Sequence, residues 1–181
     1  MDQRQRAYER LIAPIETRMM RTIWAILRDP DEAQDALQEA LAVIWRRWDR
    51  LQTHANPEAL VLRICINAAY DAVRRKRRRQ RWFGAEDVAA DLPDPAPSAL
   101  QAVTGAEERT RVWQAIAALP RTQATAIVMH AVRDIPYEGV AAAMRCREVT
   151  VRTHVARARV RLRGMLADLM PVGRAQERTH A

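Results

Sequence analysis

The chain has 181 residues, close to half of them apolar, and 30 basic against 22 acidic side chains give it a net charge of +8. That is enough apolar matter for a core, in one domain or two small ones, while no uninterrupted apolar run is long enough to span a membrane. Two cysteines, Cys65 and Cys146, sit in helical patterns with no Cys or His at ligand spacing, which excludes a disulfide framework and gives zinc no support.

The first residues, MDQRQRAYER, contain no apolar signal core, so the chain is expected in the reducing cytoplasm. From about Gln5 to Leu27, Leu11, Ile15, Met19, Ile23, Ile26 and Leu27 recur at helical spacing, with Pro14 either kinking this helix or marking a late start. Asp29-Pro30-Asp31-Glu32 then reads as an N-cap, a proline at the first helical position and an Asp-x-x-Glu capping box. The helix it opens buries Ala33, Leu37, Ala40, Leu41, Ile44 and Trp48, and carries Asp35, Gln38, Glu39 and Arg46 on the opposite face. Asn56-Pro57 starts the next helix, which is apolar nearly all round from Leu60 to Val73 and therefore predicted to be buried. One polar stripe survives on it: Arg63, Asn67, Asp71, Arg74 and Arg78 share a face at spacings of four and three. The stripe runs into Arg74, Arg75, Lys76, Arg77, Arg78, Arg79 and Arg81, a cationic tip on a core-anchored helix.

Residues 82–106 are acidic, then proline-rich at Pro93, Pro95 and Pro97, and read as a flexible linker. Trp82 and Phe83 either stack on bases or dock this linker. Beyond it, Val112, Ile116 and Leu119 make a short helix stopped by Pro120, and Ala124, Ile127, Val128 and Ala131 make a second. Asp134-Ile135-Pro136 opens a third, with Tyr137, Val140, Ala141 and Met144 inward. After the tight connection Arg145-Cys146-Arg147 a long basic helix runs to about Leu169. Two helices joined by a three-residue turn, the second longer and more basic, are the layout of a helix-turn-helix. The usual glycine is missing from the turn, so either a residue near Arg145 tolerates an unusual backbone angle or the turn is of another type. On the last helix Val149, Arg152, Thr153, Ala156, Arg157 and Val160 face away from the apolar stripe, toward a major groove, with Arg145, Arg147, Arg159, Arg161 and Arg163 flanking. The concentration of basic residues at 74–81 and 145–163 points to nucleic acid as partner. His54, His130, His154 and His180 have no carboxylate or cysteine constellation, so no metal, no cofactor and no catalytic centre are expected. Trp24, Trp45 and Trp48 read as core.

At this point the chain resembles the extracytoplasmic-function sigma factors of bacterial RNA polymerase, over roughly Tyr8 to Leu169. AQDALQEALAVIW, from Ala33 to Trp45, is similar to the family's polymerase-binding helix. RICINAAYDAVRRKRR, from Arg63 to Arg78, is similar to its minus-ten-reading helix. LPRTQ, from Leu119 to Gln123, and VTVRTHVARARVRL, from Val149 to Leu162, look like its minus-thirty-five-reading domain. Leu60, Gln34, Gly139, Val149 and His154 depart from the family pattern, standing where a tryptophan, an acidic residue, a glutamate, a glycine and an arginine are usual.

The resemblance implies an all-α fold of two small helical domains, over 5–81 and 107–169, joined by the linker 82–106 and followed by a disordered tail, 170–181. It implies core RNA polymerase and promoter DNA as partners, and leaves room for an anti-sigma protein. Asp35, Gln38 and Glu39 would hold the polymerase, and Arg63, Asn67, Arg74, Arg75, Lys76 and Arg78 the melted minus-ten strand. Arg147, Thr150, Arg152, Thr153 and Arg157 would meet the upstream element. The alternative is a helix-turn-helix repressor or activator that is not a polymerase subunit; the basic extension and acidic-amide face of the first half argue against it.

Overall fold

A computed structural model describes residues 3–83 and 99–169, and among these it is helical throughout, with no strand. Helix α1, Gln3–Ile12, ends in a 3-10 turn, Ala13–Ile15, and α2 follows over Glu16–Leu27. Pro14 therefore divides the expected first helix in two, because it lacks the N–H that would continue the ladder. Arg28 closes α2 in the left-handed region, φ 56°, its N–H donating to Trp24 O at 2.8 Å.

Helix α3, Pro30–Arg46, begins as the sequence predicts: Asp29 Oδ1 accepts from the N–H groups of Asp31 and Glu32 at 3.1 and 3.0 Å. Among the described residues Glu32 does not complete the capping box; its carboxylate faces Lys76 and Arg79 instead. The chain breaks at Arg47, and a short α4, Trp48–Gln52, carries Trp48 and Leu51 into the core. Helix α5, Pro57–Phe83, is the longest. Asn56 caps it by accepting from Ala59 N–H at 3.0 Å. Val61, Leu62, Cys65, Ile66 and Ala69 are fully buried, because α2, α3 and α4 enclose α5 on one side and the second half of the chain covers it on another. A buried Leu or Ile here contributes about 1.5–3 kcal/mol, and Ile66→Ala is expected to cost about 2–5 kcal/mol.

The second half comprises α6, Ala99–Ala118, α7, Arg121–Ile127, a π-helical turn Val128–Val132, α8, Tyr137–Met144, and α9, Glu148–Met165, with a last 3-10 turn at Ala167–Leu169. Residues 99–106, assigned to the linker from sequence, are helical, so α6 begins after Pro97 and Ser98 rather than after Gly105. Ala99, Leu100, Gln101 and Ala102 are good helix formers, and one glycine inside a helix costs only about 1 kcal/mol. Residues 84–98 and the tail expected at 170–181 lie outside the described residues, as do the side chains of Trp82 and Phe83. Of the two alternatives for the glycine-free turn the structure takes the first: Arg145 itself is left-handed, φ 57° and ψ 48°. Its N–H donates to Ala142 O and that of Cys146 to Ala141 O, a Schellman closure of α8 made without glycine.

The two halves share one continuous apolar core that runs from Ile12 to Ala158. Polar contacts seal the seam. Tyr70 Oη, buried, donates to Ile116 O at 3.0 Å. Arg18 donates to Arg133 O at 3.0 Å, and Arg28 to Thr110 Oγ1 at 3.3 Å. The last carbonyls of α8 are satisfied from the first half: His54 Nε2 lies 3.2 Å from Ala142 O, and Arg63 donates to Ala143 O. Gly139 allows this approach, since a Cβ there would stand 2.9 Å from Asn56 Nδ2 and 3.0 Å from Ile135 Cγ2. Asn56 has little room to yield, because its other amide atom caps α5.

Candidate nucleic-acid interface

On α3, Asp35, Gln38 and Glu39 are exposed, as the helical pattern requires. Asp35 and Gln38 make no side-chain hydrogen bond or ion pair among the described residues. Glu39 is engaged, accepting from Arg75 at 2.9 Å. Trp45, expected in the core, is 40% exposed at the end of the same helix. Tyr8 meets it edge-on at 5.2 Å between ring centroids, and the Arg4 guanidinium lies 4.7 Å above it. Helix α1 thus props this tryptophan at the surface, where α3 ends.

The basic end of α5 separates into two sets. Arg74, Arg77, Arg78 and Arg81, at spacings of three, one and three, share a face. With Asp71 and Arg75 they line an open cleft of about 660 Å³, and all four arginines are exposed in it. Arg75, Lys76 and Arg79 lean toward α3. Arg75 pairs with Glu39, Lys76 lies 3.7 and 3.6 Å from Asp29 and Glu32, and Arg79 lies 3.6 Å from Glu32. The structure thus brings Arg74 and Arg78 together in the cleft and places Lys76 apart from them. Arg77 and Arg81 are the further cleft residues, and their helical spacing from Arg74 and Arg78 was the signal for them.

Further back on the same face the polar stripe is covered. Arg121, at the start of α7, donates from Nε to Asn67 Oδ1 at 3.0 Å and grips the Asp71 carboxylate with both Nη atoms at 3.0 and 3.1 Å. Arg63 is half-buried, its guanidinium turned to Ala143 O. Burial, then the nearby Arg121 and Arg47 charges, push its pKa below the usual arginine value, against an opposing effect from Cys146. No local feature of the sequence marks Arg121 as the partner of Asn67, 54 residues away.

In the second half α8 and α9 pack as a helix-turn-helix. Val151, Val155 and Ala158 are buried, and Arg147, Arg152, Thr153, Ala156, Arg157 and Val160 are exposed. Thr150 is half-buried at the edge. Arg152 pairs with Glu148 at 3.1 Å and lies 4.3 Å over the Tyr137 ring, which itself stacks on His130 at 3.8 Å. Arg157 makes no side-chain hydrogen bond or ion pair among the described residues. No group of three or more His, Cys, Asp or Glu among the described residues is disposed to hold a metal, and no described helix is long and apolar enough to cross a membrane.

The family model for sigma-70 region 2 matches residues 7–79, and that for sigma-70 region 4 matches residues 109–162. Relatives include the RNA polymerase sigma-H factor of Pseudomonas aeruginosa, 26% identical over 92% of this chain and 89% of its own length. The RNA polymerase sigma-E factor of Streptomyces antibioticus is 27% identical over 94% and 91%. The probable RNA polymerase sigma factor RfaY of Xanthomonas campestris is 28% identical over 90% of this chain, which spans only 41% of that longer protein. Among solved structures, the sigma factor RpoE bound to the anti-sigma factor NepR from Bartonella quintana shares the fold with a TM-score of 0.62 at 21% identity, over 89% of this chain and 97% of that one. CnrH bound to the cytosolic domain of CnrY gives 0.58 at 19% identity, over 91% and 90%. Two matched regions in order, on an all-helical frame of the same architecture, place the chain in the sigma-70 family of bacterial RNA polymerase sigma factors, among those of the extracytoplasmic-function type.

Proposed function

We infer that the chain is a sigma factor that binds core RNA polymerase, recognises promoter DNA and starts transcription, with no chemistry of its own. The observation that carries this is the ordered pair of region 2 and region 4 matches covering most of the chain. Asp35 and Gln38, exposed and without partners among the described residues, are the first contacts with polymerase, and Glu39 joins them by exchanging Arg75 for a polymerase residue. Arg74, Arg77, Arg78 and Arg81 hold the phosphates of the opened strand. Asn67 receives a base turned out of the stack, at a cost of a few kcal/mol that the cleft contacts offset. In the closed arrangement Asn67 and Arg63 are occupied by Arg121 and Ala143, so minus-ten reading follows separation of the two halves. One structural neighbour was solved with the anti-sigma factor NepR bound and another with the cytosolic domain of CnrY, and an anti-sigma protein is a natural partner for the closed form.

The test is core-polymerase binding. Asp35→Arg with Gln38→Ala is expected to keep the helical circular dichroism and melting temperature, since both side chains are exposed on a well-capped helix. It is expected to lose co-elution with core polymerase, because reversed charge at an interface costs several kcal/mol. Undiminished co-elution removes this face from the interface.

A further inference from the structure

The first turns of a helix-turn-helix recognition helix are the part that meets base edges. In α9 Arg152 and Thr153, two polar residues of those turns, are already engaged inside the protein. Arg152 is held by Glu148 and by the Tyr137 ring. The Thr153 hydroxyl donates to Val149 O, one turn back, at 2.8 Å. With its one hydrogen spent, Thr153 has no donor left for a base edge and turns to it its methyl and an acceptor oxygen. Beside it Val149 is 64% exposed. One exposed valine is ordinary. Here a second, Val160 at 63%, continues the same face eleven residues on, with Ala156 between them. Arg152, Arg159 and Arg163 stand along one side of this aliphatic seam and Arg157 and Arg161 along the other, all exposed.

Cationic rails on both sides of an aliphatic seam match a major groove, with its two phosphate ridges. On the groove floor the apolar feature is the thymine 5-methyl. We propose that Val149, together with the Thr153 methyl, reads thymine in the upstream promoter element by contact with its 5-methyl group. Sequence choice at that step is then apolar, and Arg157, free of partners among the described residues, is the hydrogen-bonding reader one turn further on. This rests on the sigma-factor reading, in which α9 enters the major groove.

The experiment uses holoenzyme assembled from the full chain and core polymerase, which selects duplexes from a library randomised over the upstream element. The selected duplex is remade with each thymine in turn replaced by deoxyuridine, which lacks only the methyl. One or two replacements are expected to weaken binding of the unaltered chain about fourfold, the contribution of one buried methyl group. Val149→Ala is expected to abolish the penalty at one thymine and Thr153→Ser at its own or the same one. Both positions are exposed, so folding is checked simply by circular dichroism. If no thymine shows a penalty, or if the penalty is undiminished in both variants while selection and transcription persist, the inference is overturned. A chain that does not join core polymerase, or a holoenzyme that selects no duplex, overturns the sigma-factor reading itself and this inference with it.

Discussion

Arg75 and Arg74 are neighbours in a run of identical charge, yet they have different work. Arg75 and Lys76 lie against carboxylates of α3, and Arg74 and Arg78 face the open cleft. From sequence both pairs read alike as phosphate contacts, because charge alone does not say which helix stands beside it. The expected outcome is that Arg74→Ala with Arg78→Ala lowers the salt dependence of promoter opening by a slope of about 0.7 for each single-strand phosphate no longer neutralised. Arg75→Ala with Lys76→Ala is expected to change that slope less. Equal effects from the two pairs, measured by transcription across a salt series, overturn the division. Cys65 gives a second check at this scale. Burial pushes its thiol up to about 12, so it is expected to resist alkylation at neutral pH until denaturant exposes it.

At the scale of the element, the sequence is most legible where a residue has a fixed backbone consequence. Pro14, Asp29-Pro30, Asn56-Pro57, Pro120 and Pro136 all mark boundaries that the structure shows within a residue or two. Arg145 is legible for the opposite reason: a turn that needs a left-handed residue and lacks glycine must place another residue there. The break between α3 and α4 at Arg47 and the π-helical turn at Val128–Val132 have no such marker, since ordinary residues fill both and tertiary packing decides them. The early start of α6 is hidden because Gly105 looks like an end. It sits in mid-helix, and a Cβ added to it would meet nothing within 4 Å. Gly105→Ala is therefore expected to stabilise the chain by roughly 0.5–1 kcal/mol, seen as a higher melting temperature. An unchanged or lower value places the start of α6 after residue 105.

For the molecule as a whole, local periodicity correctly makes α5 buried but is silent on what covers its polar stripe, because partners 50 or more residues apart leave no local pattern. The closing contact combines a half-exposed ion pair, Arg121 with Asp71, which contributes about 1 kcal/mol or less, with a buried apolar seam that contributes more. Arg121→Ala is therefore expected to leave the melting temperature nearly unchanged while exposing Asn67. Gly139→Glu drives a side chain into Asn56 and Ile135 and is expected to separate the halves, read as a larger radius of gyration in small-angle scattering with helicity retained. An unchanged radius overturns the steric role of Gly139. The seam also has a pH signature. Burial raises the Tyr70 phenol above its usual value of 10.0. Its contribution to folding is then complete below pH about 10 and is lost as pH rises through the folded value. Tyr70→Phe is expected to remove that alkaline loss and to cost about 1 kcal/mol for the lost hydrogen bond, the Ile116 carbonyl keeping the Leu119 N–H as its other donor.

The pairing of Arg75, Lys76 and Arg79 with the acidic start and middle of α3 bears on how the protein finds its targets. A genome presents an enormous excess of irrelevant duplex, and a chain of net charge +8 risks being titrated away by it. Folding three cations of α5 onto the carboxylates of α3 and its cap lowers the affinity for that background. Part of the basic run is thereby taken up inside the protein, and the cleft set is what it leaves open to phosphate.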